Sequence, residues 1–267
     1  KSALTFNIGK DRLLVNYDIN HNNNDTENSS SGFIANRTGT APNYIYSIDD
    51  YTTKDFGETE NWRKDLSATY QIKFDDKNKK LDLNASYNTF DSNYNLDGKK
   101  FINSTTQNNN IETTSHQNVA TFRIDYSQPI KILDEGKISF GGLFEKLNYN
   151  TDFFGITNLK YQRQNTSSYA EHQAKKKNFD FILGTRAEAY DISGKTIDLT
   201  TGKLTKDLIP FKKFSLFPNA SIQYNFGKQV YFALNYNRKI QLPNISWLNP
   251  NNTNYQNGNI SFGGNPN

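Results

Sequence analysis

The sequence predicts an all-β protein whose strands form an antiparallel up-and-down transmembrane β-barrel, with about ten strands in this chain. Three observations predict it. Apolar and polar residues alternate in repeated short segments, and the connections between these segments are alternately short and long. No run of about 18 apolar residues exists, which excludes a membrane-spanning helix. A transmembrane strand meets lipid only with alternate side chains, so the low mean hydropathy is compatible with a membrane.

The alternation is clearest near the C-terminal end of the chain. Phe232 and Leu234 fall on one face of a predicted strand at 230–237, and Asn235 falls on the other. The same pattern predicts nine further strands, of which the one at 167–174 is a weak candidate. These nine lie at 4–8, 13–19, 66–74, 81–87, 120–126, 138–144, 167–174, 179–189 and 220–226.

The predicted connections alternate between short and long along the chain. Short connections are predicted at 10–11, 75–80, 128–136, 175–178 and 227–229, and long polar ones at 21–58, 92–110, 151–162, 192–214 and from 241 onward. Outer-membrane barrels have this layout, with short turns at the periplasmic rim and long loops outside the cell. A soluble sandwich mixes connection lengths at both ends. The Asn-rich segments 22–24 and 108–110 lack a core-forming pattern, so we expect them to be mobile.

Seven tyrosines lie toward the ends of predicted strands. Amphipathic rings at these positions are typical of the girdles that lie at the membrane interfaces. The alternative is that Tyr simply favours strands. The seven are Tyr17, Tyr70, Tyr87, Tyr126, Tyr190, Tyr224 and Tyr236.

Composition excludes several classes of function. The chain has no cysteine, which rules out a disulfide scaffold, a cysteine-based zinc site and a cysteine nucleophile. The net charge of +4 is distributed in mixed-sign pairs, so nucleic acid is not an expected partner. Residues 1–9 already alternate like a strand, so we expect no signal peptide in this chain.

Motifs in the second half of the chain suggest a family. The segment FPNASIQYNF at 217–226 precedes YNRKIQLP at 236–243, LNP at 248–250 and GNP at 264–266. Together they closely resemble barrel segments of the TonB-dependent receptors of Bacteroidota. The segment from Asp125 to Pro129 ahead of Gly136 and Lys137, and the strand 138–147 leading into 150–153, fit the same family. Leu242 departs from the pattern, since the family usually has Arg there.

The resemblance implies an outer-membrane receptor for TonB-dependent nutrient uptake, without enzymatic activity and without a cofactor. Such barrels have roughly 22 strands around a plugged lumen. Residues 1–267 are therefore expected to be one barrel segment, truncated at both ends and lacking the plug domain. The implied partners are outer-membrane lipid, a small-molecule, glycan or peptide substrate, and TonB acting through a plug outside this chain. Aromatic loop residues would help to capture substrate: Tyr44, Tyr46, Tyr51, Phe153 and Phe154.

Two short motifs resemble ligand-binding loops. Gly194-Lys195-Thr196 resembles the end of a phosphate-binding loop, but Ala189 stands where the first glycine belongs, so we interpret it as a loop start after a strand. Alternating oxygens at 91–97 resemble a calcium loop. Its glycine comes two positions late and Ile102 replaces the bidentate glutamate, so we interpret this segment as a solvated hairpin tip.

No catalytic or metal site is predicted, and the substrate-binding residues stay unassigned. His21, His116 and His172 lack metal-ligand spacing. Carboxylates such as Glu145, Asp180 and Glu188 could in principle form a hydrolytic pair. The alternation instead places Asp180, Arg186 and Glu188 on the lumen face, where charges of both signs pair with one another or with a plug. The N-x-S/T triplets, including the one at Asn165, are not treated as glycosylation sites.

Two alternatives remain open at the level of the sequence. One is a plug-free outer-membrane barrel with a structural or assembly role, which a plug and a TonB box in the complete gene would exclude. The other is a soluble all-β binding protein or adhesin, in which the Phe and Tyr stripe packs against a second sheet. That alternative requires these side chains to be buried between two protein layers.

Overall fold

Almost the whole described chain is β-strand. The computed structural model describes residues 2–75, 79–153, 156–207, 210–227, 230–240 and 242, and the backbone of 253–255 and 260–262. The strands are β1 (Ser2–Ile8), β2 (Asp11–Thr40), β3 (Asn43–Lys73), β4 (Lys80–Ile102), β5 (Thr105–Ile130), β6 (Glu135–Phe153), β7 (Thr157–Lys176), β8 (Phe179–Asp198), β9 (Leu204–Asp207), β10 (Phe211–Asn225), β11 (Tyr231–Asn237), β12 (Thr253–Tyr255) and β13 (Ile260–Phe262).

The strands form one continuous antiparallel meander. β1 to β8 pair in sequence order, β8 continues to β10 and β11, and the short β9 pairs with β8. β12 and β13 form a separate two-stranded sheet. The predicted up-and-down order of ten strands is thereby confirmed along the main path. The weak candidate at 167–174 is the middle of β7.

The cross-strand register places the predicted apolar stripes on one face of the sheet. Phe6 lies opposite Leu13, Leu13 opposite Tyr70, Tyr70 opposite Leu83, and Leu83 opposite Ile124. Directly opposed residues share a face, so these side chains form a continuous row across five strands. Similar rows of outward-facing apolar side chains continue across the sheet to β11. We call all of these outward-facing apolar side chains the apolar band.

The side chains of the apolar band are exposed. Leu183 keeps 66% of its surface accessible and Phe232 keeps 64%. No second sheet covers this face within the described residues. In water each such side chain would forgo about 1.5–3 kcal/mol of burial free energy. The alternative of a soluble protein with a stripe packed between two sheets is therefore wrong.

The opposite face is polar, and the burial of its side chains indicates that it is the concave face. Buried residues that the structure describes lie on this face, with Ala174 and Asn158 as the exceptions. A curling sheet crowds the side chains on its inner side, which explains this asymmetry. The direction of curvature is the one that a barrel wall needs, with the polar face inward.

The long connections are mostly strand, which corrects the sequence prediction. The segment 21–58 belongs to β2 and β3, which pair up to a tip at Ala41 and Pro42. The Asn-rich segments 22–24 and 108–110 lie in paired strands, so the expected mobile loops are ordered ladders. The 30 residues of β2 span about 100 Å, whereas crossing a bilayer takes about 9–11 residues.

Six of the seven predicted girdle tyrosines face outward with the apolar band. Tyr190 does not, because it lies on the concave face with 7% of its surface exposed. In β8 the odd-numbered Phe179, Phe181 and Leu183 face outward, and Tyr190 is even-numbered. Because side chains alternate between the two faces of a strand, Tyr190 lies on the inner face. Some predicted features lie outside the described residues: Phe154, parts of the turns at 75–80 and 227–229, and the motifs at 243–250 and 264–266.

Candidate functional site on the concave face

A polar groove of about 480 Å³ lies on the concave face across β5, β7, β8, β10 and β11. We call it the inner groove. It carries both signs of charge together with amide and aromatic groups. Its lining includes Arg123, Tyr169, Glu171, Arg186, Glu188, Tyr190, Phe217, Asn219, Asn237 and Arg238.

Three side chains from two non-adjacent strands form a hydrogen-bonded triad at the inner groove. Arg123 Nε donates to Asp125 Oδ2 at 2.5 Å, and its Nη2 donates to Oδ1 at 3.2 Å. The Tyr169 hydroxyl reaches across β6 and donates to the same Asp125 Oδ1 at 2.6 Å. Charge-assisted hydrogen bonds of this kind are stronger than neutral ones, so this triad fixes the wall between β5 and β7.

Gly141 on β6 makes the reach of Tyr169 possible. The two residues are cross-strand partners, and the tyrosine ring lies directly over the glycine. A Cβ atom at Gly141 would lie 2.6 Å from Tyr169 Cε1 and 2.4 Å from the Ile124 carbonyl oxygen. A residue without a side chain is therefore required there.

Three further charged groups of the inner groove have partners. Arg186 forms an ion pair with Glu188, a carboxylate whose side chain is only 6% exposed. Glu171 accepts hydrogen bonds from Gln173 Nε2 at 2.8 Å and from Asn219 Nδ2 at 3.3 Å. The structure thus places Arg186 and Glu188 on the concave face, where the alternation predicted them.

The carboxylates considered for hydrolysis do not converge. Glu145 accepts from Arg163 Nη2 at 2.9 Å, and Asp180 accepts from Asn225 Nδ2 at 2.7 Å. Glu188 is held by its arginine on the same strand. Each acid has its own partner, so the arrangement suits recognition of a polar surface by hydrogen bonds and charge.

An apolar cluster on the same face was missed by the sequence reasoning. Leu147, Leu159 and Tyr161 are buried, and Val119, Tyr149 and Ile192 pack against them. Leu159 is completely inaccessible. The cluster lies toward the long-hairpin rim, beyond the rows of the apolar band. The signal available was a second, inward alternation on β6 and β7 that runs out of phase with the outward one.

The two motifs that resemble ligand loops lie within strands. The segment 194–196 is paired with β7, so its backbone groups belong to the sheet ladder and cannot cradle a phosphate. The oxygens at 91–97 lie along β4, and neither motif is a loop or a hairpin tip. Alternate residues of a strand are about 7 Å apart, too far for four of them to bind one calcium ion.

The three histidines lie far apart on the outward face. His21 contacts Glu60 Oε1 through Nε2 at 3.1 Å and stacks on Trp62. His116 pairs with Asp91 on the neighbouring strand. The Nε2 atom of His172 has no hydrogen-bond partner. No group of acidic, histidine or cysteine side chains within the described ranges is arranged to hold a metal ion.

Comparison with known proteins agrees with this geometry. The model of the outer membrane protein β-barrel family matches residues 72–267, which is most of the chain. The chain belongs to this family. Its apolar band is accordingly the surface that meets the lipid of the bacterial outer membrane, and its concave face is the lumen wall. Within the described residues, no helix is long and apolar enough to cross a membrane.

A solved structure with a similar fold is the ferric citrate transporter FecA in its unliganded form. The two chains superpose with a TM-score of 0.51 at 13% sequence identity. The match covers 87% of this chain and 40% of the transporter, so the chain spans less than half of that protein. At this identity the likeness establishes the fold alone. No curated protein sequence matches the chain.

Proposed function

We propose that the chain is part of a TonB-dependent receptor for nutrient uptake in the outer membrane of Bacteroidota. It would contribute one barrel segment, with the plug domain elsewhere in the protein. The observation that carries the proposal is the two-sided sheet, with an exposed apolar band outside and a charged, concave wall inside. A plug needs a polar wall to pack against, and the inner groove supplies one.

The wall chemistry supports this assignment over a simple pore. Arg186 and Glu188 lie within one groove beside the triad of Arg123, Asp125 and Tyr169. Charges of both signs allow hydrogen bonds to a folded domain inside the lumen. The main sheet has eleven strands, about half of the roughly 22 strands of plugged transporters.

The partners follow from this assignment. The short-turn rim would face the periplasm, where TonB would act on the plug, and the long hairpins would face outward. A small-molecule, glycan or peptide substrate would first meet the hairpins, including Tyr44, Tyr46 and Tyr51. The similar transporter is named for ferric citrate, which makes ferric citrate one reasonable test compound.

Uptake in cells tests the proposal. Cells with and without the complete gene are given radiolabelled ferric citrate, other ferric chelates, oligosaccharides and peptides. We expect gene-dependent uptake of at least one compound, abolished by a protonophore because TonB uses the proton gradient. Gene-dependent uptake that persists with the protonophore would favour the plug-free barrel. Absence of a plug and a TonB box from the complete reading frame would contradict the proposal directly.

A further inference from the structure

The outward face carries a second groove, of about 560 Å³, beside the apolar band on the side of the long hairpins. It lies across β5, β6, β7, β8 and β9, and we call it the outer groove. Six side chains of its lining carry the argument, all of them on the lipid-facing side of the sheet by register. They are Asn118, Asn148, Lys160, Gln162, Ser193 and Lys195.

Two lysines dominate the charge of the outer groove. Lys160 and Lys195 are direct cross-strand partners on β7 and β8. Like charges in this position destabilise a sheet unless an anion lies between them. Neither ammonium forms an ion pair with any residue that the structure describes. One carboxylate, Asp207, lies beside Lys195 on β9, which leaves the described groove with a positive balance.

A row of neutral hydrogen-bonding side chains lies between the lysines and the apolar band. Asn118, Asn148, Gln162 and Ser193 are successive cross-strand partners over four strands. Asn148 Nδ2 donates to Asn118 Oδ1 at 2.9 Å. Amides and hydroxyls in a row suit the hydroxyl and amide groups of a sugar headgroup.

Below this row comes one further outward-facing row, which contains Lys146, Gln164, Asp191 and Lys212. The apolar band beyond it is unusually shallow on two strands. Thr166, Ser168 and Ala170 of β7 face Ala189, Ala187 and Thr185 of β8. Larger side chains border them on both sides, including Phe140 and Phe144 on β6 and Phe214 and Leu216 on β10. Neighbouring strands are about 4.8 Å apart, so this lane is about 10 Å wide and admits an acyl chain.

We propose that the outer groove binds one phosphorylated glycolipid of the outer leaflet. Lys160 and Lys195 hold a phosphate, the row of amides and Ser193 hold the sugar, and an acyl chain lies in the lane of small side chains. The inference rests on the orientation given in the proposed function, with the long hairpins outside the cell. It concerns the lipid-facing surface and is independent of what passes through the lumen.

Native mass spectrometry of the complete protein tests this site. The delipidated protein in mild detergent is titrated with bisphosphorylated lipid A, dephosphorylated lipid A or phosphatidylglycerol. We expect the double variant Lys160→Gln, Lys195→Gln to bind bisphosphorylated lipid A about tenfold more weakly, because charge-assisted hydrogen bonds are lost. The matched control is Lys54→Gln with Lys99→Gln. These lysines are also opposed outward partners, but they lie far along the hairpins, and their variant should bind normally.

A second variant separates binding from folding. Ala187→Phe keeps both lysines and fills the lane, and it should also weaken lipid A binding, while heat-modifiable migration in gels reports barrel folding. Unchanged binding by the lysine variant overturns the proposal. If dephosphorylated lipid A binds as tightly as bisphosphorylated lipid A, the proposed phosphate contact is wrong. If phosphatidylglycerol binds as tightly, the assignment of a glycolipid is wrong. If the gene supports no uptake of any tested compound but the protein still binds lipid A, the result counts against the proposed receptor function alone.

Discussion

The hairpin of β2 and β3 and the wall formed by β6, β7 and β8 belong to one sheet but are stabilised differently. Beyond Ile19 the hairpin buries Thr53 and Gly57 and leaves Ile45 70% exposed. The wall surrounds the completely buried Leu159 and has the apolar band behind it. Backbone pairing with little side-chain burial therefore extends the strands where both faces are solvated, whereas side-chain packing determines the wall.

Local side-chain pairs add to the ladder of the hairpin. Ser30 Oγ and Thr53 Oγ1 are 2.7 Å apart, and Asn36 Nδ2 donates to Asp49 Oδ2 at 3.0 Å. Each cross-strand pair contributes roughly 0.2–1 kcal/mol. These contributions suffice for a ribbon that is anchored at its base, and each is smaller than the burial of one leucine.

The largest effect is expected inside the wall. Leu159→Ala should lower the free energy of unfolding by about 2–5 kcal/mol, because it leaves a cavity among Leu147 and Tyr161. Urea unfolding in lipid vesicles measures it. Phe33→Ala on the hairpin, where the ring is 67% exposed, is the control and should change stability by less than about 0.5 kcal/mol. If the two variants lowered the free energy of unfolding equally, the proposed difference in stabilisation between the wall and the hairpin would be wrong.

The apolar band should be nearly as sensitive to charge. Leu183→Arg and Phe232→Arg each place a guanidinium in lipid and should cost about 2–4 kcal/mol near the bilayer midplane. Asn235→Arg, on the concave face of β11, should cost little. The same unfolding assay compares all three. A cost at Asn235 as large as that at Phe232 would contradict the assignment of the lipid face.

The tyrosine that crosses β6 gives a sharper comparison between two adjacent glycines. Gly141→Ala should cost about 1–3 kcal/mol, because the new methyl group collides with the Tyr169 ring and a backbone oxygen. Gly142→Ala meets nothing closer than 3.4 Å and should be tolerated. Unfolding midpoints of the two variants, measured side by side, decide the point. A tolerated Gly141→Ala would mean that the triad is not a rigid element.

Shortening the tall hairpin should have a small effect on the barrel. Replacing residues 31–52 by Asn-Gly joins Ser30 to Thr53 through a tight turn and removes mainly exposed rungs. We expect the free energy of global unfolding to change by less than about 1 kcal/mol. A loss comparable to that of Leu159→Ala would show that the hairpin supports the wall.

The smallest effect is local and depends on pH. Hydrogen bonds from Trp62 and His21 hold the pKa of Glu60 below its usual value. Because the pKa is lower in the folded state, the ionised carboxylate stabilises the hairpin at pH values above the unfolded pKa of about 4.3. This stabilisation disappears as the pH falls through the lowered pKa of the folded state. Hydrogen exchange around Trp62 should therefore be faster in Glu60→Gln than in wild type at pH 7, with the difference lost at pH 3. Glu27→Gln, on the same hairpin, should behave like wild type at both values.

The sequence predicted those features of the fold that depend on the alternation of apolar and polar side chains. The period of two located the band and placed Asp180, Arg186 and Glu188 inside, because lipid and lumen impose opposite polarity on alternate residues. It failed for residues 21–58, where both faces are solvated and the pattern carries no strand signal. The triad around Tyr169 depends on the register between β5, β6 and β7. Such long-range pairing cannot be read from any one strand.

The height of the β2 and β3 ribbon has a consequence at the cell surface. From Asn20 to Thr40 the ribbon is about 70 Å long, more than twice the excess length of β6 beyond the band. With this rim outside the cell, a large particle such as an antibody or a phage touches the ribbon before it reaches the mouth of the barrel. Small solutes can diffuse past it, so the ribbon would discriminate against large particles by size.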